Sequence, residues 1–323
     1  MSKRITLGVV TAGLVGAGLF RFRRPILGRA LGLGKARYSV RVERGIRVPM
    51  PDGVELAADH YFPVSAKEKF PTVLVRTPYG RSPADGGSGL LSAFTSQRFA
   101  ERGYHVVVQD VRGRFGSQGE FTPFASEARD GQATLAWIEQ QPWFNGSVGM
   151  WGQSYVGYVQ WAAAVGAPPC LKALVPSITG SQLPIMGFRD RAMGMDTLYR
   201  WILELDAMDR KGALSILEGL ARFLPPVQIR KLQPAFNHTP LIQADELIVG
   251  KPVSFYQDWL SHPDLEDPFW QAVNLGSRLD QISAEVSLVS GWYDILLRDL
   301  LADKTKSLMK TEFRERRARL ETT

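Results

Sequence analysis

Cysteine is almost absent from this chain: Cys170 is the only one in 323 residues. No intrachain disulfide can form, so the fold is not a disulfide scaffold and must be held by an apolar core. Cys170 follows Pro168-Pro169 and precedes an apolar stretch, which suits a small buried hydrophobe better than a catalytic thiol. Histidine is scarce too, with four residues, His60, His105, His238 and His262. No His/Cys/Asp cluster has ligand spacing, so the sequence suggests no metal. The glycines at 113, 116 and 119 come without the lysine and threonine of a phosphate loop, and no other cofactor is indicated.

Acidic residues are missing from one region only. Residues 1–41 carry nine Lys and Arg and no Asp or Glu. With those nine set aside, 30 basic residues face 32 acidic ones, a net charge of −2. The overall +7 is therefore a property of the N-terminal arm and not of a nucleic-acid-binding face, and no nucleic-acid partner is expected. Within that arm, Ile5–Phe20 is an uncharged run of 16 residues flanked by Lys3-Arg4 and Arg21-Phe-Arg-Arg24. It is short for a bilayer-spanning helix, which needs about 20 apolar residues. Its length suits the apolar region of a signal peptide, with Val15-Gly-Ala17 as a cleavage site, or a short membrane anchor. A secreted or membrane-anchored protein is the expectation, with membrane contact through residues 5–20. An organelle-targeting segment, or a disordered basic tail of a cytoplasmic protein, is the alternative.

From Tyr38 the pattern becomes that of a folded body. Residues 38–50 alternate apolar and polar, Pro51-Asp-Gly53 signals a turn, and Val54–Phe62 is a partner strand. Apolar strands are expected at Thr72–Thr77, Tyr104–Val111, Ser147–Gly152 and Leu171–Ser177. Helices are expected between them, at 93–102, from an N-cap at Ser126 to about Gln141, and from 155 to about Val165. Strands alternating with helices imply a mostly parallel sheet covered on both faces. After Gln182 the rhythm changes: residues 183–284 are rich in Leu, Met, Trp and Arg at helical spacing, with no convincing strand. Glu285–Asp294 restores a strand. The expected organisation is an arm at 1–36, a core at 37–182, a helical insertion at 183–284, and a second core segment at 285–323.

The chemistry is carried by Gly152-Gln-Ser154-Tyr155-Val-Gly157. A nucleophile elbow needs a strand, a sharp turn that lifts the serine hydroxyl, and a helix whose N-terminus favours negative charge. The strand 147–152, Gly152 and the helix from Tyr155 supply all three around Ser154. The second glycine comes one place later than in Gly-x-Ser-x-Gly. Acyl transfer also needs donors for the oxyanion. The backbone N–H of Tyr155 is one. Tyr79, in the loop after Thr72–Thr77, offers a phenol hydroxyl as the second, or else packs beneath a turn. Asp294 follows a late apolar strand, where open α/β sheets place functional groups. It either serves the serine or caps the next helix.

Five motifs in order extend this reading: Arg76-Thr-Pro-Tyr-Gly-Arg81, Gln109–Phe121, Gly149–Gly157, Tyr256–Trp270 and Gly291–Asp294. They resemble the cocaine-esterase-like and X-prolyl dipeptidyl-peptidase hydrolases, the CocE/NonD type, over roughly residues 40–305. The resemblance implies an α/β-hydrolase fold with a helical cap at 183–284. It implies that Ser154 is the nucleophile, Asp294 the triad acid, and Tyr79 and the Tyr155 N–H the oxyanion donors. The substrate class would be small-molecule esters or amides, or X-Pro peptides. The family's triad histidine lies one strand beyond the acid, and no histidine follows Asp294 here. The last strand or strands of the core, and the family's C-terminal β-sandwich, are likewise expected to be missing. His105 starts a strand, at the wrong edge of a parallel sheet; His60 lies in another, and His238 and His262 belong to the insertion. The expectation is therefore a serine hydrolase whose base comes from elsewhere, or a catalytically impaired fragment or pseudoenzyme.

Overall fold

The computed structural model describes residues 28–29, 32–65, 69–182, 188–189, 192–209 and 225–303. The apolar run at 5–20 and the charged C-terminal stretch lie outside them. Among the described residues no helix is long and apolar enough to cross a membrane.

Nine strands form. In chain order they are β1 (Val40–Pro49), β2 (Glu55–Pro63), β3 (Thr72–Thr77), β4 (His105–Asp110), β5 (Val148–Gln153), β6 (Leu171–Ser177), β7 (Phe188–Arg189), β8 (Ala192–Met193) and β9 (Glu285–Val286). Seven make one sheet in the order β1-β2-β4-β3-β5-β6-β9. The β1–β2 and β2–β4 pairs are antiparallel, and every pair from β4 to β9 is parallel. This is the mostly parallel sheet expected from the alternation of strands and helices, in the α/β-hydrolase arrangement that the family resemblance implied.

Burial on both faces explains the apolar centres of β3 and β4, Val73–Val75 and Val106–Val108. Every residue of both strands is buried. Leu74, Val107 and Met150 face one side of the sheet, in the larger apolar cluster. Val73, Val75, Val106 and Val108 face the other. Helix α1 (Gly87–Ala100) contributes Ala93 and Ala100 to the second face. Helices α2 (Glu127–Glu139) and α3 (Tyr155–Ala164) contribute Leu135, Ile138, Tyr158 and Trp161 to the first.

Four expectations are corrected. Helix α1 begins at Gly87, not at 93, because its glycines serve packing: a Cβ on Gly89 would lie 2.1 Å from the Ser82 carbonyl oxygen. The Ser126 side chain makes no capping bond at the start of α2. Residues 183–284 hold a two-stranded antiparallel ribbon, β7–β8, whose two-residue strands are too short to show periodicity. Among the described residues of that segment the helices are α4 (Met195–Asp209), α5 (Pro225–Phe236), α6 (Ala244–Val249), α7 (Ser254–Ser261) and α8 (Pro268–Gln271). The strand expected over 285–294 is regular only at 285–286, with one further bridge between Ser177 and Val289.

His60 and His105 sit at the antiparallel end of the sheet as a bonded pair, with Nε2 of His60 2.9 Å from Nδ1 of His105. The Trp143 ring stacks on both. Burial disfavours the imidazolium, and the ring pKa values fall from 6.5 to about 3 for His60 and about 4 for His105. The unfolded chain therefore binds protons that the native state refuses. Stability from this pair is complete above pH 6.5 and is lost as pH falls through 6.5 toward 4 and 3. Each histidine adds at most about 1.4 kcal/mol per pH unit to that slope. Melting temperature followed against pH should drop steeply across this window, and His60→Gln should flatten the drop.

Candidate active site

The strand order turns at β3. Because β3 lies between β4 and β5, the chain leaves its carboxyl end beside the carboxyl end of β5, and such a switch point opens a crevice. The register pairs Leu74 with Met150, so Thr77 and Gln153 end level with each other. Tyr79 follows two residues after one, and Ser154 directly after the other. Parallel pairing thus brings together two residues that are 75 apart in sequence.

Ser154 stands between β5 and α3 with φ 57° and ψ −125°, a conformation L-residues avoid. Surrounding contacts force it. The Ser154 N–H donates to the carbonyls of Ser177 and Ile178, at 2.9 and 3.1 Å. The Ser154 carbonyl accepts from Gly157, Tyr158 and the Thr179 hydroxyl, at 2.8, 3.0 and 2.9 Å. The displaced glycine is explained here. A Cβ on Gly157 would fall 2.5 Å from the Thr179 methyl, and one on Gly152 would fall 2.1 Å from Val156. Close approach is needed at 152 and 157, so the spacing Gly-x-Ser-x-x-Gly fits this turn.

Tyr155 opens α3, so its N–H has no acceptor within the helix. Its side chain turns away into the core. The phenol donates to Oε1 of Glu127 at 2.8 Å and accepts the Phe124 N–H at 2.9 Å. Glu127 is itself paired with Arg76, whose Nη1 lies 2.7 Å from Oε2 but donates its hydrogen bond to the Glu127 carbonyl. Arg76 Nε reaches Gln109 at 2.9 Å, and Thr134 bonds the same amide oxygen at 3.0 Å. Burial pushes the Glu127 carboxyl up, and Arg76 opposes that shift. This network was not visible in the sequence, where Glu127 reads as an ordinary first-turn acid.

Tyr79 is fixed from several sides. Its N–H donates to the Thr77 hydroxyl at 3.0 Å, and Gly80 turns the chain with φ 96°. Arg81 then bonds Asp59 and Asp110. The Tyr79 hydroxyl accepts the Trp201 indole N–H at 3.3 Å, and the Ser154 side chain lies close enough to influence its acidity. Its acidity is suppressed above all by burial and next by the nearby Glu204 carboxylate. The phenol therefore keeps its proton and is available as a donor. Trp201 and Glu204 are three residues apart on α4 and share a face. The Glu204 carboxyl is also pushed up by burial, and among the described residues no hydrogen bond or ion pair is seen to hold it.

Asp294 follows the short β9 segment. Ile178, which accepts from Ser154, donates in turn to the Val289 carbonyl at 2.8 Å, so two backbone bonds connect the elbow to the strand that leads to Asp294. The carboxylate accepts the Leu296 N–H at 2.9 Å through Oδ1 and the Ser290 hydroxyl through Oδ2. The helix-capping alternative thus accounts for one oxygen. Beside it, Trp292 and Tyr293 are 89% and 101% exposed. None of the four histidines bonds Ser154 or Asp294. His60 and His105 pair with each other, His238 contacts Gln243, and His262 Nδ1 lies 2.8 Å from the Asp258 carbonyl while its ring stacks on Phe269.

Comparison with known proteins gives the family and the fold of the chain. Cocaine esterase from Rhodococcus sp. (strain MB1 Bresler) is 35% identical over 263 residues, covering 78% of this chain and 44% of the esterase. An α-amino acid ester hydrolase structure superposes with a TM-score of 0.61 at 24% identity, over 85% of this chain and 47% of that one. An aminopeptidase from a marine sediment archaeon, Thaumarchaeota archaeon, does so with a TM-score of 0.59 at 23% identity, over 84% and 48%. At these identities the two structures speak for the fold alone. The chain spans less than half the length of each of these relatives. The profile of the X-Pro dipeptidyl-peptidase (S15) family matches residues 52–303, and the chain belongs to that family of hydrolases.

Proposed function

We propose that this chain carries the nucleophile and the oxyanion hole of a serine hydrolase. The observation that carries the reading is the strained backbone of Ser154 at a strand–helix junction, beside a protonated tyrosine. Ser154 attacks an acyl carbon. The Tyr79 hydroxyl and the Tyr155 N–H receive the developing negative charge. Asp294 orients a histidine that these 323 residues do not place at Ser154. Residues 183–284 act as a cap over the acyl group. Esters, amides and X-Pro dipeptide bonds are all within the chemistry of such a site.

Glu204 favours substrates that carry a cation. An ionised carboxylate near Tyr79 opposes charge on the oxyanion, and a bound ammonium group relieves that opposition. With its carboxyl pushed up, Glu204 must lose its proton before it can pair with an amine, so affinity for α-amino esters should improve as pH rises through its pKa. Glu204→Gln should raise KM for α-amino esters about tenfold and leave KM for neutral acyl esters unchanged. Steady-state assays on a matched ester pair measure both.

A second reading rests on the histidines, none of which bonds Ser154 or Asp294. In that reading the chain alone is a catalytically impaired fragment or a pseudoenzyme that binds acyl ligands in the cap cleft. A fluorophosphonate probe separates the two. Rapid labelling that disappears in Ser154→Ala supports the hydrolase reading; labelling no faster than in that variant supports the second.

A further inference from the structure

Arg114 is 4% exposed, and an always-ionised guanidinium is costly to bury without full compensation. Its Nε–H donates to the Pro78 carbonyl at 3.0 Å. Its Nη1 pairs with Oδ1 of Asp209 at 2.7 Å. The Phe115 and Phe121 rings each lie 5.1 Å from its central carbon, while Nη2 has no partner among the described residues. The backbone beside it is strained, with Phe115 at φ 45°. Strain and an incompletely compensated buried charge persist where the surroundings need one placement of the side chain.

That placement concerns Tyr79. Pro78, whose carbonyl Arg114 grips, immediately precedes it. Asp209 and Trp201 both belong to α4, eight residues and about 12 Å apart along its axis. Helix α4 therefore holds the Tyr79 hydroxyl directly through Trp201, and the Tyr79 backbone indirectly through Asp209 and Arg114. A lysine has no fork to reach both Pro78 and Asp209.

We propose that Arg114 is a positioning residue: anchored by Asp209 of α4, it fixes the Pro78–Tyr79 segment and so sets the Tyr79 hydroxyl against Ser154. This rests on the reading of Tyr79 as oxyanion donor. In consequence the helical segment tunes the oxyanion hole, and a shift of α4 is transmitted to both ends of one tyrosine.

Two measurements on the full chain test this. In the first, fluorophosphonate labelling of Ser154 is timed in wild type, Arg114→Met, Arg114→Lys, Tyr79→Phe and Arg114→Met/Tyr79→Phe. Arg114→Met and Arg114→Lys should each slow labelling about tenfold, because misplacement of a catalytic group costs rate. The double variant should be no slower than Tyr79→Phe. Full additivity in the double variant, or wild-type rates in Arg114→Lys, would overturn the proposal. In the second, the protein carries 5-fluorotryptophan and the Trp201 resonance is assigned with Trp201→Phe. It should move in Arg114→Met and Asp209→Asn, and move likewise in Tyr79→Phe, while the other tryptophan signals stay. An unmoved Trp201 signal rejects the clamp. If wild type labels no faster than Ser154→Ala, the catalytic reading fails by itself, and the fluorine spectra still decide whether Arg114 places Tyr79.

Discussion

Replacing Tyr79 by Phe is expected to slow acylation of Ser154 by about 10²-fold or more, the usual cost of losing one oxyanion donor. The effect follows from the position of the phenol at the switch point of the sheet and from its suppressed acidity, which keeps the proton on oxygen at working pH. Phe conserves the ring, so the packing against Tyr155 survives and only the bonds of the hydroxyl are lost. The Trp201 indole N–H loses its acceptor as well. Because the measurement is a ratio of labelling rates, it does not depend on the absolute rate of this chain. Ser154→Ala sets the zero. A Tyr79→Phe protein that labels as fast as wild type would remove the phenol from the mechanism and leave the Tyr155 N–H as the sole assigned donor.

Glu127→Ala should cost about 3–5 kcal/mol of stability, the penalty for stranding one member of a buried ion pair. Arg76 is 0% exposed, so water cannot replace the lost carboxylate. The Tyr155 phenol loses its acceptor in the same step, at the first turn of the helix that follows Ser154. Glu127→Gln keeps an acceptor for Tyr155 but leaves Arg76 unneutralised, and should fall between alanine and wild type. Urea unfolding measures both: the midpoint should move while the slope stays constant, since the surface exposed on unfolding is unchanged. An alanine variant within about 1 kcal/mol of wild type would mean that Arg76 finds another partner.

What the sequence could reveal followed the length scale of each interaction. Strands β3 and β4 were legible because burial on both faces gives each an apolar centre, Val73–Val75 and Val106–Val108, and the helix after Ser154 because its turn chemistry is local. Ser154 and Tyr79 were legible as residue types at sheet ends. The β7–β8 ribbon was not, since two residues give no period. The start of α1 was hidden because Gly87 and Gly89 look like loop formers, and only the Ser82 carbonyl shows why bulk is refused there. Glu127, Glu204 and Arg114 were invisible for a different reason. Each matters through a partner 28, 125 or 95 residues away (Tyr155, Tyr79 and Asp209), and nothing in their neighbouring sequence points to those contacts.

The glycine at 157 has a further consequence for how such turns are defined. Helix α3 meets two walls at once: position 156 abuts the strand it leaves, and position 157 abuts the loop after β6. Val156 occupies the first only because Gly152 yields room for it, and Thr179 occupies the second only because Gly157 does. Exchanging 156 and 157 to recreate the commoner spacing would set a branched side chain against Thr179 and open a void beside Gly152. The shorter consensus is thus one solution to a steric problem that this chain solves with the vacant position one residue further around the helix.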